Sequence, residues 1–293
     1  MMKSLQVTAS FLIAFLLLFP GTSFAGSDLG LDWGDVPPDS VSPWNLELTG
    51  ALNGSQASYS NWQQGGVNTL SVAASTVFNA RYRKKEWGYA LRTNLAYGQA
   101  KIDDEYRKTD DVISIRNRFR RFFPDDRWSI VLDINFISQF DIGKDRDLEN
   151  TVSRFLAPGY LTESIGISYQ PVEYFSVDSG VALKQTFVRD TNLSERYGLD
   201  PGDTFRNEAG LNLQIQFEKD ILENVRFLTS VETFSNLNRS LTSTDVNYKA
   251  ELIGRINNFL TTNFQFQAVY NDDVSKEVQL RQVLSVGLNF RII

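Results

Sequence analysis

The 293-residue sequence contains no cysteine and no histidine. Without cysteine there is no disulfide scaffold, no thiol chemistry and no residue to carry a lipid anchor after an export signal. Without histidine, catalytic sites of the Ser-His-Asp and Cys-His types are excluded, as are metal sites that need imidazole. Only carboxylates, Lys, Tyr and Ser remain for catalysis. We therefore expect no enzyme activity, no cofactor and no metal site.

Long apolar runs are also missing after the N terminus. There, Lys3 precedes a short apolar segment at 11–19 and a small-residue cleavage site that ends at Ala25. This pattern predicts a secretory signal peptide over residues 1–25, because a transmembrane helix needs about 20 apolar residues. An exported chain without a spanning helix can enter a membrane only as a closed barrel, since every backbone polar group must be paired in lipid.

The segment after the predicted cleavage site has no periodicity. Residues 26–43 are rich in Gly, Asp and Pro, and we interpret them as a flexible periplasmic segment. The alternative is a plug that places Trp33 inside a barrel. The formal net charge of −6 argues against nucleic acid as a partner.

From Trp44 onward, apolar and polar residues alternate with a period of two. In one such stretch, Trp128 and Ile130 fall on one face, while Ser129 and Asp133 fall on the other. This alternation predicts β-strands with one apolar face. We predict about twelve strands, at approximately 44–58, 68–84, 87–100, 111–123, 128–139, 161–171, 175–189, 206–218, 225–236, 245–256, 263–271 and 280–293.

A strand with one apolar face fits either a soluble sandwich or a membrane barrel that is apolar outside and polar within. The connections favour the barrel, because short turns alternate with longer, more charged loops. The short turns are expected at 85–86, 124–127, 172–174, 219–224 and 257–262. The loops are expected near 60–67, 101–110, 141–160, 190–205, 235–245 and 272–279.

Such alternation is typical of bacterial outer-membrane barrels, with short turns in the periplasm and loops outside. We therefore predict an all-β fold: a closed antiparallel transmembrane β-barrel of about 12 strands over residues 44–293. The expected location is the outer membrane, and the expected partners are outer-membrane lipid, lipopolysaccharide and the barrel-assembly machinery. No soluble partner follows from the sequence.

Aromatic residues support this interpretation, because membrane barrels carry an aromatic girdle at each interface. The first predicted girdle lies beside the short turns and comprises Tyr82, Trp87, Phe123, Trp128, Tyr169 and Phe175. The second comprises Tyr97, Phe136, Phe140 and Phe187.

The chain also resembles a family of exported Bacteroidota and Chlorobiota proteins that is catalogued only as a domain of unknown function. The resemblance runs in order along most of the mature chain and rests on three stretches: Asn61–Ser71 (Asn-Trp-Gln-Gln-Gly-Gly-Val-Asn-Thr-Leu-Ser), Arg107–Val112, and Ala157–Leu161 followed by Gly166–Pro171. It implies an outer-membrane β-barrel. It implies no activity and no functional residues.

Charged side chains on the inner faces of the strands are the candidate functional residues. Strands two to four would gather a basic wall from Arg81, Arg83, Arg92, Arg116, Arg118 and Arg120. The other strands contribute Asp133, Asp178, Lys184, Glu218, Arg226, Glu232, Lys249, Glu251 and Arg255.

Two outcomes follow from these opposed charges. If water fills the lumen, they set up a transverse field that selects small polar or anionic solutes. If the walls meet, the charges pair and plug the barrel. Barrels of about eight strands are filled and those of about 16 to 18 are open, so about twelve lies between. We predict a narrow channel or solute-binding barrel for such solutes; the alternative is a plugged barrel that acts through its outer loops.

The loops contain weaker candidates. Trp62 before Gly65 and Gly66 fits either sugar stacking or a packed turn, and the turn is favoured. Loop 141–149 has oxygen ligands for a hard cation such as calcium on Asp141, Asp145, Asp147 and Glu149. The spacing departs from the calcium-loop pattern, so solvated surface charge is favoured there. The acidic runs at 103–105, 110–111 and 272–273 are interpreted as loop solvation.

Overall fold

The computed structural model describes residues 42–57, 69–102, 105–145, 148–239, 243–271 and 275–292. Residues 1–41, which include the expected signal peptide and Trp33, lie outside the described part. So do Trp62, Gly65 and Gly66, which were the candidate residues of the first loop.

The described residues form fourteen strands, and twelve of these strands make one closed ring. Their bounds are β1 Trp44–Ala57, β2 Thr69–Lys84, β3 Trp87–Ile102, β4 Glu105–Phe122, β5 Trp128–Ser138, β6 Gly143–Lys144, β7 Thr151–Ser153, β8 Gly159–Val172, β9 Phe175–Phe187, β10 Phe205–Leu222, β11 Val225–Asn236, β12 Thr244–Arg255, β13 Leu260–Asn271 and β14 Ser275–Arg291. Two short 3₁₀ helices lie between β9 and β10, at Thr191–Leu193 and Glu195–Tyr197. No helix in the described part of the chain is long and apolar enough to cross a membrane.

Each barrel strand pairs antiparallel with its neighbours in sequence, and β5 pairs with β8 because β6 and β7 form a small hairpin in the loop between them. The ring closes where β1 meets β14. All 14 residues of β1 pair with β2, from Trp44 to Ala57. On its other edge β1 pairs with β14 through the four residues from Thr49 to Leu52, and the backbone N–H of Ile292 donates to the carbonyl oxygen of Leu48 at 2.8 Å.

The two faces of the ring differ in polarity as the alternation predicts. On β5 the inner residues Ser129, Val131 and Asp133 are buried, while Trp128 and Ile130 are exposed on the outer face. Large exposed apolar side chains continue round the outside of the other strands. A soluble protein rarely leaves so wide an apolar surface in water, whereas a membrane barrel covers it with lipid. The predicted fold class, a closed 12-strand antiparallel transmembrane barrel, is confirmed.

Aromatic side chains cluster on the outer face at both ends. We call the end with the connections at 85–86 and 173–174 the turn end, and the opposite end the loop end. At the turn end the rings of Trp128 and Tyr169 have centroids 4.3 Å apart. At the loop end the rings of Phe187 and Phe205 lie 5.2 Å apart. Such rings anchor a barrel at the two membrane interfaces.

Several predicted connections were wrong. Segment 101–110 is not a loop, because β3 runs to Ile102 and β4 begins at Glu105; similarly, β14 begins at Ser275, inside the predicted loop 272–279. At the turn end, β10 continues to Leu222 through a predicted turn. The strands were predicted to end where the sequence becomes rich in polar residues. Beyond the membrane both faces of a strand meet water, so polar residues can continue the hydrogen-bonded ladder.

The two long connections at the loop end, 139–158 and 188–204, pack against each other and form what we call the loop cap. Its apolar core consists of Ala157, Val188, Leu193 and Leu199, all buried. Tyr197 packs on this core, and its hydroxyl donates to the carbonyl oxygen of Val152 at 2.7 Å. Burial raises the pKa of Tyr197 above its ordinary value. The loop cap is therefore an ordered structure with a small core of its own.

One outer-face residue breaks the polarity pattern. Glu163 on β8 has the register partners Ile134 on β5 and Leu183 on β9, so apolar neighbours flank it on both sides. Its inward neighbour Ser164 shows that Glu163 points outward. Within the described residues its carboxylate has no hydrogen bond or ion pair. A carboxylate in an apolar band is costly in lipid.

Candidate functional site: the arginine cluster in the lumen

The six arginines of the predicted basic wall lie on the inner faces of β2, β3 and β4, which we call the arginine wall: Arg81, Arg83, Arg92, Arg116, Arg118 and Arg120. Arg92 and Arg116 are direct register partners. Ala90 lies between Arg81 and Arg118, and Gly88 lies between Arg83 and Arg120. These two small residues leave room for the long arginine side chains. Like charges directly opposite each other repel, so this wall needs acidic partners.

Arg118 lies at the centre of the acidic contacts. Its Nε lies 2.7 Å from Oδ2 of Asp133 on β5, and its Nη2 lies 2.9 Å from Oδ2 of Asp178 on β9. The same Nη2 donates to Oε1 of Gln214 on β10 at 3.0 Å. The side chain of Arg118 is 2% exposed, and that of Asp178 is 5% exposed. A buried guanidinium is stable only when paired, and here two carboxylates pair with it.

Arg116 extends the contacts across the lumen. Its Nε donates to both carboxylate oxygens of Asp133 at 3.0 Å, and its Nη2 donates to Oε1 of Gln214 at 2.6 Å. Its Nη1 lies 3.6 Å from Oε1 of Glu232 on β11. The amide of Gln214 donates in turn to Glu232 at 2.9 Å. Gln214 therefore joins two arginines to one carboxylate.

Arg120 forms the edge of this group toward the turn end. Its Nη2 lies 3.9 Å from Oδ1 of Asp178, and its Nη1 donates to Gln170 at 3.0 Å. Beyond it lies a cavity of about 260 Å³ at the turn end, where Glu218 pairs with Arg226 at 3.2 Å. Polar groups therefore continue from the centre of the lumen to its mouth.

We call this group the arginine cluster: Arg116, Arg118, Arg120, Asp133, Asp178, Gln214 and Glu232. Its three guanidinium groups face three carboxylates. The contacts join β4 to β10 and β11, which lie four and five places away round the ring. Side chains alone make this connection, so they close one half of the lumen at this level.

Small residues on β8 and β9 make room for the cluster. Gly166 and Gly180 are register partners, and a Cβ on Gly166 would lie 2.1 Å from the carbonyl oxygen of Ser179. Gly166 and Ser164 line a small void beside Arg118 with a volume of about 10 Å³. The two strands approach closely because neither glycine has a side chain.

The remaining arginines of the wall have other neighbours. Nη2 of Arg81 lies 4.0 Å from Oε2 of Glu47 on β1. Nη2 of Arg83 lies 2.9 Å from Oδ2 of Asp126 in the turn after β4. Nη1 of Arg92 donates to Oδ1 of Asn79 at 3.3 Å. These contacts lie on the arginine wall, on the neighbouring β1 and in the turn after β4.

A second stretch of the inner surface, on β12, β13 and β14, carries side-chain amides among charged residues such as Lys249 and Glu251, and we call it the amide wall. Asn263 and Gln265 donate to Oε1 of Glu251 at 2.5 and 3.1 Å. Gln267 donates to Asn247 at 2.9 Å. Each of these bonds joins neighbouring strands and crosses no part of the lumen.

The other predicted lumen residues lie apart from the cluster. Lys184 on β9 pairs with Asp245 on β12, nearer the loop end. Lys249 is half-buried on the inner face of β12. Arg255 is the last residue of β12 and is exposed at the turn end. Arg255 therefore lies at the rim of the barrel, because β12 ends there.

Comparisons with known proteins give a family without an assigned activity. The profile of a family described as "Protein of unknown function (DUF3078)" matches residues 55–143. This agrees with the resemblance to a family of unknown function; the bacterial groups expected from it stay a prediction. Among curated proteins, none matches the chain.

Solved structures similar to this chain are outer-membrane barrels. The translocator domain of the autotransporter NalP from Neisseria meningitidis is 12% identical, with 98% of this chain and 97% of that chain covered and a TM-score of 0.35. An outer-membrane channel from Pseudomonas putida F1 is 8% identical, with 89% and 98% covered and a TM-score of 0.42. The channel DcaP of Acinetobacter baumannii is 6% identical, with 85% and 97% covered and a TM-score of 0.35. At these scores the likenesses give no information on function.

Loop 141–149, which was weighed as a cation site and interpreted as solvated surface charge, is held by its own hydrogen bonds. Asp145 accepts from the backbone N–H of Glu149 at 3.0 Å and from Nδ2 of Asn150 at 2.7 Å. Asp147 lies outside the described residues, as do Asp103, Asp104, Asp272 and Asp273. Among the residues that are described, no group of three or more acidic side chains could hold a metal ion.

Sequence reasoning missed the neutral and remote partners of the arginines. Gln214 and Gln170 were overlooked because the search followed charge, although both have inward parity on their strands. Asp126 was assigned to a turn, and its pairing with Arg83 depends on how the turn folds back. The alternation on β10, which places Gln214 inward, was the one available signal.

Proposed function

We propose that this chain is an outer-membrane barrel that acts as a narrow channel for small polar or anionic solutes, with the arginine cluster as its constriction. The location is supported by the apolar outer face, the aromatic rings at both ends and the signal peptide expected over residues 1–25. In this orientation the turn end lies in the periplasm and the loop end outside. The barrel-assembly machinery would insert it.

One observation carries the channel proposal: side chains, and not backbone, bridge the lumen at the level of the arginine cluster. Arg116 reaches Gln214 and Glu232 from the opposite side. The inner face is polar above and below this level, as at Lys184 and Glu218. A polar lumen that polar side chains interrupt at one level has the form of a filter.

The unequal charge of the walls supports selectivity for polar or anionic solutes. The arginine wall carries six guanidinium groups, whereas acidic residues such as Glu232, Asp245 and Glu251 lie on strands across the ring. Opposed charges produce a transverse field, and such a field orders small polar solutes as they pass.

The test is single-channel conductance of the refolded barrel in planar bilayers, after heat-modifiable gel mobility has shown that the barrel has formed. Wild type should give a small, steady conductance. Gln214→Ala should raise it, because this change removes the neutral link across the lumen without adding or removing charge. Gln267→Ala is the matched control, since its amide bonds within the amide wall.

Absence of conductance in wild type and in Gln214→Ala would refute the channel. The alternative, a plugged barrel that acts through its outer loops, would then hold. It is favoured by the deep burial of Arg118 and by the ordered loop cap. In that case replacing residues of the loop cap, and not those of the lumen, should abolish capture of a surface partner.

A further inference from the structure

A cleft of about 660 Å³ lies at the loop end, between the two connections that form the loop cap. Its sides come from the chain after β5 and from the chain after β9. The two segments are fixed to each other, because the backbone N–H of Arg189 donates to the carbonyl oxygen of Leu156 at 2.7 Å. Val188 next to it is fully buried in the core of the loop cap. The cleft therefore has rigid walls.

The lower part of the cleft is apolar. Phe140, Ile142 and Phe155 line it with exposed fractions of 47%, 46% and 41%. Three large apolar side chains around one concave surface are costly to leave in water. They fit a ligand with a hydrocarbon portion.

The position of the cleft along the barrel axis indicates that a membrane lipid would supply the hydrocarbon portion. Phe187 and Phe205 form the aromatic pair on the outer face at the loop end. Arg189 follows Phe187 by two residues and is exposed. The cleft thus lies just beyond the ring that marks the membrane interface, at the level of lipid headgroups.

The cleft is lined by two arginines, Arg154 and Arg189, and by two aspartates, Asp141 and Asp190. Nε of Arg154 lies 3.2 Å from Oδ2 of Asp190, so these charges compensate each other. The guanidinium of Arg189 has no hydrogen bond or ion pair among the described residues. A fixed arginine above an apolar surface suits a phosphate attached to acyl chains, because guanidinium binds phosphate through two parallel hydrogen bonds.

The nearby carboxylate of Asp141 is already engaged. It accepts from the hydroxyl of Tyr97 at 2.8 Å and from the backbone N–H of Ile142 at 2.7 Å. The Tyr97 hydrogen bond, helped by that from Ile142, holds the pKa of Asp141 below its ordinary value. Lys108 donates to the carbonyl oxygen of Asp141 at 2.9 Å, and Asp111 compensates its charge, with Oδ2 2.7 Å from Nζ.

We propose that this cleft binds the phosphate-bearing headgroup of an outer-leaflet glycolipid, with Arg189 on the phosphate and Phe140, Ile142 and Phe155 on the first carbons of its acyl chains. The lipopolysaccharide contact that is expected for an outer-membrane barrel would be made at this cleft. It rests on the proposed location and is independent of conduction through the lumen.

The experiment measures retained lipid on the refolded full-length barrel in detergent, by native mass spectrometry with bisphosphorylated lipid A as the probe. Arg189→Gln should lower the affinity about tenfold, the loss expected for one charge-assisted phosphate contact. Phe155→Ser should lower it severalfold. Arg196→Gln is the matched control, because Arg196 is an exposed arginine of the same connection that contacts Tyr197 and does not line the cleft.

Equal binding by Arg189→Gln and Arg196→Gln would overturn the proposal. So would equal binding of lipid A from which both phosphates have been removed. Competition by inorganic phosphate at low concentration would assign the site to a soluble anion and would also overturn the lipid source. Heat-modifiable mobility of every variant separates lost binding from lost folding, and conductance of the same samples reports on the lumen separately.

Discussion

The arginine wall and the amide wall line one lumen but are stabilised in different ways. From the arginine wall, Arg116 and Arg118 reach Gln214 four strands away. On the amide wall, Gln265 and Gln267 bond to the neighbouring strand. Arginine has a long stem and a fork of five donors, whereas a side-chain amide is shorter and has two. The hydrogen bonds of the arginine wall therefore bridge the lumen, whereas those of the amide wall stay between neighbouring strands.

The largest difference in stability between the two walls is expected for a substitution at Arg118. Arg118→Ala leaves Asp133 and Asp178 buried without their central cation, and should cost about 3–5 kcal/mol of unfolding free energy. Urea unfolding of the lipid-reconstituted barrel, followed by tryptophan fluorescence, measures this. A loss no larger than that of an amide-wall variant would show that the two walls do not differ.

The space beside the cluster can be tested next. Gly166→Ala places a methyl group where only 2.1 Å separates it from the carbonyl oxygen of Ser179. The strain should cost about 1–3 kcal/mol. Gly54→Ala is the control, because a Cβ there meets its nearest atom at 3.8 Å. Equal urea midpoints for the two variants would contradict the close approach of β8 and β9.

The comparison extends to the outer face. The arginines of the arginine cluster are paired with carboxylates, whereas the outer face carries a carboxylate that is not paired with any described residue. Glu163 is a charge without a partner among the described residues, and it faces lipid. Glu163→Leu should therefore stabilise the barrel by about 1–2 kcal/mol. Glu149→Leu, an exposed change in the loop cap, is the control. A destabilised Glu163→Leu barrel would mean that this carboxylate has a partner in the membrane.

The smallest effect is expected on the amide wall. Gln265→Ala removes one of two amide donors to Glu251, and Asn263 still donates to the same oxygen. The loss should be about 1 kcal/mol or less. The urea midpoint should move little, and conductance should stay close to that of wild type if the narrowest level is the arginine cluster.

The sequence was sufficient for the ring and for its inner face. Alternation along β4 predicts that Arg116, Arg118 and Arg120 point into the lumen, and they do so in the structure. The number of barrel strands agrees with the prediction of about twelve. Both follow from local rules, since strand parity and turn composition need no knowledge of distant residues.

The contacts between the walls could not be predicted in the same way. Arg118 and Gln214 are 96 residues apart, and their meeting depends on strand tilt and stagger round the whole ring. The core of the loop cap also joins two connections, at Ala157 and Val188, whose individual sequences show no period. The strand segments beyond the membrane were missed because their polar residues were interpreted as loop residues.

The closure of the ring also has a consequence for assembly. Hairpins between sequence neighbours form with short loops and little entropy loss, whereas β1 and β14 meet only after the whole chain has been arranged between them. That long-range contact is made by the register pairs of Thr49 to Leu52 with Leu288 to Arg291 and by the hydrogen bond from Ile292 to Leu48. Until it forms, both edges have unpaired backbone groups that lipid cannot satisfy. The slowest step in the assembly of this barrel is therefore the formation of the short β1–β14 pairing. Unfolding of the barrel starts with the separation of the same two strands.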